Sequence, residues 1–303
     1  MANLKDIKTR IQSVNNTQKI TKAMEMVAAA KVKKAENSVK SARPFAEELL
    51  EMFKKMLATV KNIPENGEVF PSAINNYPAL LTRREIKTEG FLVITSNKGL
   101  AGAYNANIVR EVLKRISENK SNGIETKLYI VGQKGLSALH NKPDINIVKK
   151  YIAVMDNPNS SGANIIAEDI AEDYVNGNID KIEIITTRFN NMMSYSIQNW
   201  EILPLNIDCT EEEHKLDALM EFIPNARAIL QKIVPMFITN GIFQALLESY
   251  ASELASRMTA MSAASNNADK MIAELTVSYN KARQSAITNE LIEVVSGASA
   301  TSR

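Results

Sequence analysis

Two short turns in the sequence combine glycine, lysine and hydroxyl residues as phosphate-holding loops do. Thr95-Ser96-Asn97-Lys98-Gly99-Leu100-Ala101-Gly102-Ala103 follows an apolar run and opens a helical pattern. Backbone N–H groups at such a position can cradle an anion. Gly132-Gln133-Lys134-Gly135 follows a second apolar run in the same way. Neither turn completes a nucleotide fingerprint. A Walker A loop closes on Gly-Lys-Ser/Thr, and a dinucleotide loop needs three glycines at fixed spacing. Both are missing, so both turns read as structural strand-to-helix connections, with an anion site as the alternative.

The other reactive residue types are sparse. Cys209 is the single cysteine, and His140 and His214 are the two histidines. One cysteine excludes an internal disulfide framework and any multi-cysteine metal site. Cys209 has no basic neighbour in sequence to activate its thiol. His214 sits in the charged run Glu211-Glu212-Glu213-His214-Lys215 and reads as a solvated helix start. His140 ends a short amphipathic pattern and reads as a surface or packing residue. Met24, Met26, Met258 and Met261 read as packing residues. The expectation is no catalytic residue, no metal and no cofactor.

Composition narrows the class. The chain has 303 residues, 36 Lys and Arg against 34 Asp and Glu, and 45% hydrophobic residues. That balance speaks against a globally basic nucleic-acid protein and against a disordered chain. Aromatic residues are only 6%, with a single Trp, while Met reaches 13. Such a chain packs with aliphatic residues and suits long helices. No run of about 18 apolar residues appears, the length at which a membrane span is read. The N-terminus shows neither an apolar signal core nor an Arg/Ser-rich leader. The chain is read as cytoplasmic, or as mature with a leader removed.

Proline placement sets the elements that must position any site. Residues 1–43 contain neither Pro nor Gly, and residues 236–303 contain no Pro and only Gly241 and Gly297. Both ends therefore predict long helices. Gln244, Leu247, Ala251, Leu254, Met258, Met261, Ser265, Ala268, Ile272, Leu275, Tyr279, Ala282 and Ala286 follow a 3-4 spacing without a skip. That is the a/d seam of a coiled coil, with many small residues that let a partner helix approach. The N-terminal stretch begins alike with Leu4, Ile7, Ile11 and Val14. It meets polar residues at Gln18, Thr21 and Glu25, then resumes with Ala28, Val32, Ala35, Val39 and Ala42. This reads as a loss of phase, hence local unwinding or a change of neighbour.

A helix over residues 236–296 would be about 90 Å long, against a radius of gyration of about 19 Å for a compact chain of this size. It must project and pair, and the N-terminal helix is the partner with a matching seam. The middle predicts something else. Phe91–Thr95, Lys127–Val131 and Ile182–Thr187 read as strands, with helical patterns over 103–119 and 161–176 and a further strand within Met193–Leu205. Strands alternating with helices imply a parallel-rich α/β sheet. The predicted organisation is an N-terminal coiled-coil helix at 1–59, a linker at 60–85, a Rossmann-like α/β domain at 86–206 and a C-terminal coiled-coil helix at 207–303. The fold class is thus α/β plus a long antiparallel two-helix coiled coil.

Charge adds one signal. Residues 1–43 hold ten Lys/Arg against three Asp/Glu, a net of +7, whereas residues 236–303 hold five against six. No aromatics are interleaved for base stacking. A solvated face and an acidic protein partner are the two readings, with nucleic acid or lipid behind them.

Two long motifs then become recognisable. Asn16-Thr17-Gln18-Lys19-Ile20-Thr21-Lys22-Ala23-Met24-Glu25-Met26-Val27-Ala28-Ala29-Ala30-Lys31 closely resembles the N-terminal signature of the gamma subunit of F-type ATP synthase. So does Tyr279-Asn280-Lys281-Ala282-Arg283-Gln284-Ser285-Ala286-Ile287-Thr288-Asn289-Glu290-Leu291 with Glu293-Val294-Val295-Ser296-Gly297-Ala298. Ser96-Asn97-Lys98-Gly99-Leu100-Ala101-Gly102 is similar to the family's central loop.

The resemblance implies a central rotor shaft of bacterial type, not itself catalytic. It couples ion flow through the membrane c ring to ATP synthesis or hydrolysis at alpha-beta sites. The implied partners are alpha and beta subunits, with one copy of this chain per three alpha-beta pairs, the epsilon subunit and the c ring. No nucleic acid is implied, and membrane association is only through the complex, at the cytoplasmic face of the bacterial inner membrane. Arg283 and Gln284 align with a polar pair facing a loop of beta, and Thr288 and Glu290 share that segment. Lys19, Lys22 and Met24 align with the part of the short helix near an acidic region of beta. Lys98 and Gly99 are candidates for contact with epsilon or the c ring. The chloroplast form's regulatory dithiol cannot exist with Cys209 alone. Two other readings stay open: a nucleotide-binding α/β enzyme with a coiled-coil arm, and a basic scaffold on nucleic acid.

Overall fold

The computed structural model describes residues 4–59, 70–142, 145–205 and 226–301. Cys209 and His214 lie outside the described residues. The elements in order are α1 (Leu4–Thr59), a 3-10 turn at Ala73–Asn75, α2 (Tyr77–Leu81), β1 (Thr88–Ile94), α3 (Tyr104–Ser121), β2 (Glu125–Val131), α4 (Gln133–Leu139), β3 (Asn146–Tyr151), a 3-10 turn at Ala153–Met155, α5 (Ser160–Val175), β4 (Lys181–Asn191), β5 (Ser194–Leu203) and α6 (Ala226–Thr301). The chain divides into two compact units. One takes in the described parts of Met1–Ala29 and Arg257–Arg303, the other Ala30–Ser256.

In the larger unit five strands form one sheet in the order β3-β2-β1-β4-β5. β1 pairs in parallel with β2 and β4, β2 in parallel with β3, and β4 antiparallel with β5. The two-residue period of a strand sends alternate side chains to opposite faces. Leu92, Ile94, Tyr129, Val131, Ile182 and Ile184 point to one side, where α5 and parts of α1 and α6 cover them. Phe91, Val93, Leu128, Ile130 and Ile185 point to the other, under Tyr104, Ile108 and Val112 of α3. A strand buried on both faces reads as a continuous apolar run, which is why β1, β2 and β4 are legible in sequence. β3 is not. It is an edge strand, Asn-Ile-Val-Lys-Lys-Tyr, alternately exposed and half-buried, and its lysines hide it.

The stretch 70–85, expected as part of a linker, contributes to the core instead. Ile74, Tyr77 and Leu80 are buried in the layer that holds α5 and the end of α1, and Asn76 caps α2 by accepting from the N–H of Ala79. Two prolines lie inside helices, Pro44 in α1 and Pro235 in α6. Buried neighbours on either side, Val39 and Leu49 for the first and Val234 and Ile238 for the second, hold the chain helical across each lost N–H.

The two long helices run antiparallel in this unit. Arg43 of α1 pairs with Glu248 of α6, and Phe53 stacks on Phe237 with centroids 5.0 Å apart. The α1 number rises as the α6 number falls. Between them Val32, Ala35 and Val39 pack with Leu247, Ala251, Leu254 and Ala255.

In the smaller unit the seam of α6 continues as read from the sequence. Ile272, Leu275, Tyr279, Ala282 and Ala286 are half-buried, while every other residue from 269 to 290 is exposed. The seam of α1 corrects the sequence reading. Gln18 and Glu25 are half-buried and Thr21 is buried, in phase with Leu4, Ile7, Ile11 and Val14 before them and Ala28 after. The helix has no break there. Polar residues occupy seam positions because their polar atoms have local outlets. Thr21 Oγ1 donates to the carbonyl of Gln18 at 3.0 Å, and Glu25 is drawn to Lys22 at 3.1 Å.

Among the described residues, one helix is long and apolar enough to cross a membrane by length and composition. Its best 18-residue window within Ala228–Ser296 reaches a mean hydropathy of 1.2, and 39% of that window is buried. The apolar character of α6 has a packing cause, since Leu230, Val234, Ile238, Ile242 and Leu246 all enter the core.

Candidate functional site

The two glycine-containing turns come together at the C-terminal ends of β1 and β2. They serve each other. The first N–H groups of α4 are taken by the β1 turn: Gln133 donates to Asn97 Oδ1 at 3.0 Å, Lys134 to the carbonyl of Ser96 at 2.9 Å and Gly135 to Thr95 Oγ1 at 2.9 Å. Ser96 N–H in turn donates to Asn105 Oδ1 at 3.0 Å. An anion at a helix N-terminus needs those donors free. Here side chains and carbonyls of the neighbouring turn already hold them. The glycines are explained by the same crowding. A Cβ on Gly135 would sit 2.6 Å from Thr95 Oγ1, and Gly132 adopts φ +94°. No ligand is needed to account for either.

The crevice between β1 and β4, where the strand order reverses, is where an open α/β sheet binds ligands. α6 lies across it. Thr186 Oγ1 donates to the carbonyl of Ala245 at 3.2 Å, the Tyr104 hydroxyl bonds Ser249, and Ser256 Oγ donates to the carbonyl of Ala101 at 2.7 Å. Burial of Tyr104 pushes its hydroxyl well above the ordinary tyrosine range, so it stays a neutral hydrogen-bonding anchor.

Two further clusters of titratable groups are internally paired. Asp169 receives Lys149 and Tyr151, each at 2.7 Å, beside an open groove of about 590 Å³ along the β3 edge that includes His140. At the N-terminal end of the sheet, Lys181 and Arg115 close a network with the buried carboxylates Glu89 and Glu183. Among the described residues no group of three or more His, Cys, Asp or Glu could hold a metal.

The partner-contact candidates fall into two groups on different helices. Arg283, Gln284, Thr288 and Glu290 are all exposed, within the last turns of α6. Thr288 Oγ1 donates back to the carbonyl of Gln284 at 2.9 Å. Lys19 and Lys22 are exposed on α1, and Met24 beside them is half-buried. Lys98 is exposed and Gly99 half-buried in the β1 turn, next to Ala101 and hence near Ser256. The reading of polar motifs missed the apolar neighbours of these residues. Ile20, Met26 and Val27 are 60%, 60% and 57% exposed. Leu291, Ile292, Val294 and Val295 are exposed on α6 beyond Arg283. Their signal was available, since they are large apolar residues out of phase with the a/d seam.

A helix pair with exposed polar and apolar residues, together with an α/β domain whose ligand crevice holds its own helix, is the architecture of a partner-binding class of protein. The sequence profile described as ATP synthase matches residues 3–301. The ATP synthase gamma chain of Gloeothece citriformis is 40% identical, covering 99% of this chain and all of that one. That of Halothermothrix orenii is 38% identical, with 99% of each covered. Among solved structures, the central stalk and c ring of the Tetrahymena thermophila mitochondrial ATP synthase contains a chain with a TM-score of 0.57 and 29% identity, covering 81% of this chain and 99% of that one. A chain of the Euglena gracilis mitochondrial ATP synthase matches at TM-score 0.68 and 17% identity, over 98% and 94%, and speaks to the fold. The chain belongs to the ATP synthase gamma-chain family, the non-catalytic central-stalk subunit of the rotary F-type complex.

Proposed function

We propose that this chain is the rotating shaft inside a head of alpha and beta subunits, one copy per three alpha-beta pairs, driven from a c ring with epsilon at its base. The observation that carries the reading is the division of labour on the long helices. The seam takes small and aliphatic residues together with Gln18, Thr21, Glu25 and Tyr279, and the signature residues Lys19, Lys22, Arg283, Gln284, Thr288 and Glu290 are all left outside it. A shaft changes a catalytic subunit only by binding its conformations unequally. Exposed groups that form and release contacts at successive angles meet that requirement, and buried ones do not.

In this reading Arg283 and Gln284 engage a loop of beta, with Thr288 and Glu290 in the same contact. The guanidinium supplies charge-assisted hydrogen bonds that can be made and broken on each turn. Lys19 and Lys22 meet an acidic part of beta, with Met24 beside them. Lys98 and Gly99 contact epsilon or the c ring, from a turn that lies by Ala101 and hence by Ser256. The chain reaches the membrane only through the complex, at the cytoplasmic face of the bacterial inner membrane.

The test is reconstitution with cognate alpha and beta subunits and Mg-ATP hydrolysis with and without this chain. A complex of one chain per three alpha-beta pairs with chain-dependent turnover supports the shaft. Absence of a complex, with ATP bound by the chain alone, overturns it in favour of the nucleotide-binding enzyme.

A further inference from the structure

Arg43 and Glu248 do more than pair with each other. Glu248, 1% exposed, accepts Arg43 Nε at 2.8 Å and Arg43 Nη2 at 3.0 Å. Its Oε2 also accepts the backbone N–H of Phe189 at 2.8 Å. Arg43 Nη2 donates to the carbonyl of Phe189 at 2.9 Å. One ion pair thus takes up both backbone polar groups of a single residue of β4. The sheet explains why they are available. β1 pairs with β4 only as far as Val93–Ile185, so beyond that point β4 has no strand on this side. Arg43 from α1 and Glu248 from α6 stand in for the missing strand.

We infer that the Arg43–Glu248 pair is the joint that passes rotation of the sheet to both long helices at once, and that these are positioning residues for energy coupling. The inference rests on the shaft reading above. The apolar contacts around the joint, Val32, Ala35 and Val39 against Leu247, Ala251, Leu254 and Ala255, hold the helices by close packing and carry no directional bond. A guanidinium fork on a carboxylate is planar and bidentate, and so resists twisting. The phenyl ring of Phe189 is itself 4% exposed in the same apolar cluster. Backbone and side chain of one β4 residue are therefore held by two helices together, and a sheet that turns cannot leave either helix behind.

The test uses the assembled complex with its head immobilised and locked by bound nucleotide. A bead is fixed to the α/β domain through Ala138→Cys, an exposed α4 position, in a Cys209→Ser background. Angular fluctuation of the bead reports torsional stiffness. Arg43→Ala and Glu248→Gln should each widen the angular variance at least twofold and lower ATP-driven ion pumping per ATP hydrolysed. Arg43→Lys, which keeps the charge without the fork, should recover only part of the stiffness. If Arg43→Ala fails to assemble, Glu248→Gln, which keeps the shape and one acceptor oxygen but replaces the other with an amide donor, is read in its place. Parental variance and pumping ratio in either assembled variant overturn the joint. A parent complex that does not rotate at all sinks the shaft reading instead, so the two failures are distinguishable.

Discussion

A side chain on Gly132 would put its Cβ 2.2 Å from the carbonyl oxygen of Thr95, closer than any real contact. The β2 turn is pressed against the β1 turn with no room between them, at the very position where a related fold would hold a phosphate.

The first prediction follows from that contact. Gly132→Ala must move the Thr95 backbone and also accept a positive φ, and should cost about 3 kcal/mol or more, read as a lower urea midpoint. The parent chain should show no rise in melting temperature on adding ATP, because the α4 donors are already occupied. A clear rise would revive the nucleotide-binding reading.

Removing Arg43 leaves Glu248 buried and without its cation. Breaking a buried pair typically costs about 3–5 kcal/mol. Arg43 keeps 29% of its side chain in solvent, so Arg43→Ala should cost about 2–3 kcal/mol, at the low end of that range or just below it. The double change Arg43→Met with Glu248→Leu should recover part of the loss. The backbone groups of Phe189 stay unsatisfied, so about 1–3 kcal/mol should remain missing. Chemical denaturation of the three proteins checks both steps.

Alkaline stability should depend on Tyr104. Burial raises its folded-state pKa above the ordinary value of 10.0. The unfolded chain therefore loses this proton first as pH rises. The stabilising contribution is complete below about pH 10 and is lost above it, by about 1.4 kcal/mol per pH unit until the folded pKa is reached. Tyr129 and Tyr151, raised by burial and by bonding to Asp173 and Asp169, act in the same direction. Tyr104→Phe should flatten the stability slope between about pH 10 and 12 by the share of one tyrosine, while losing its bond to Ser249 at all pH values.

Seam position should govern tolerance to charge. Leu254 is 3% exposed and Leu275 is half-buried. Leu254→Asp should unfold the helix pair or cost about 4 kcal/mol, and Leu275→Asp should cost clearly less. Thr21→Val should stay within about 1 kcal/mol of the parent, since it exchanges a locally satisfied hydroxyl for a methyl group. Circular dichroism melts separate these cases, and a large loss in Thr21→Val would contradict an in-phase seam.

Arg283 and Gln284 are exposed and carry no packing role. Arg283→Ala with Gln284→Ala should leave the melting temperature within a degree or two. It should lower Mg-ATP turnover of the assembled head about tenfold, the equivalent of one charge-assisted hydrogen bond. Parental turnover in a correctly assembled complex would remove the beta contact from the proposal.

Local pattern in the sequence by itself reports the long helices, the seam of α6 from Ile272 to Ala286, and strands β1, β2 and β4. In each case the residues that report the element are the ones that bury, so the pattern and the physics coincide. It also carried the signature residues on α1 and α6, because those motifs are contiguous in the chain. Tertiary structure decided the rest. β3 is an edge strand in which Lys149 turns to Asp169 and Lys150 faces water, so hydrophobicity does not mark it. The polar residues Gln18, Thr21 and Glu25 look like a break in the seam, yet they lie in phase with it, and Thr21 and Glu25 have local partners. The two turns already read as structural in sequence, but the bond that fills the anion position, Gln133 N–H to Asn97 Oδ1 across 36 residues, belongs to the tertiary structure. Glu248 and Arg43 lie 205 residues apart and meet a strand that has run out of partners. No local pattern encodes such a meeting, since it depends on where three elements end in space.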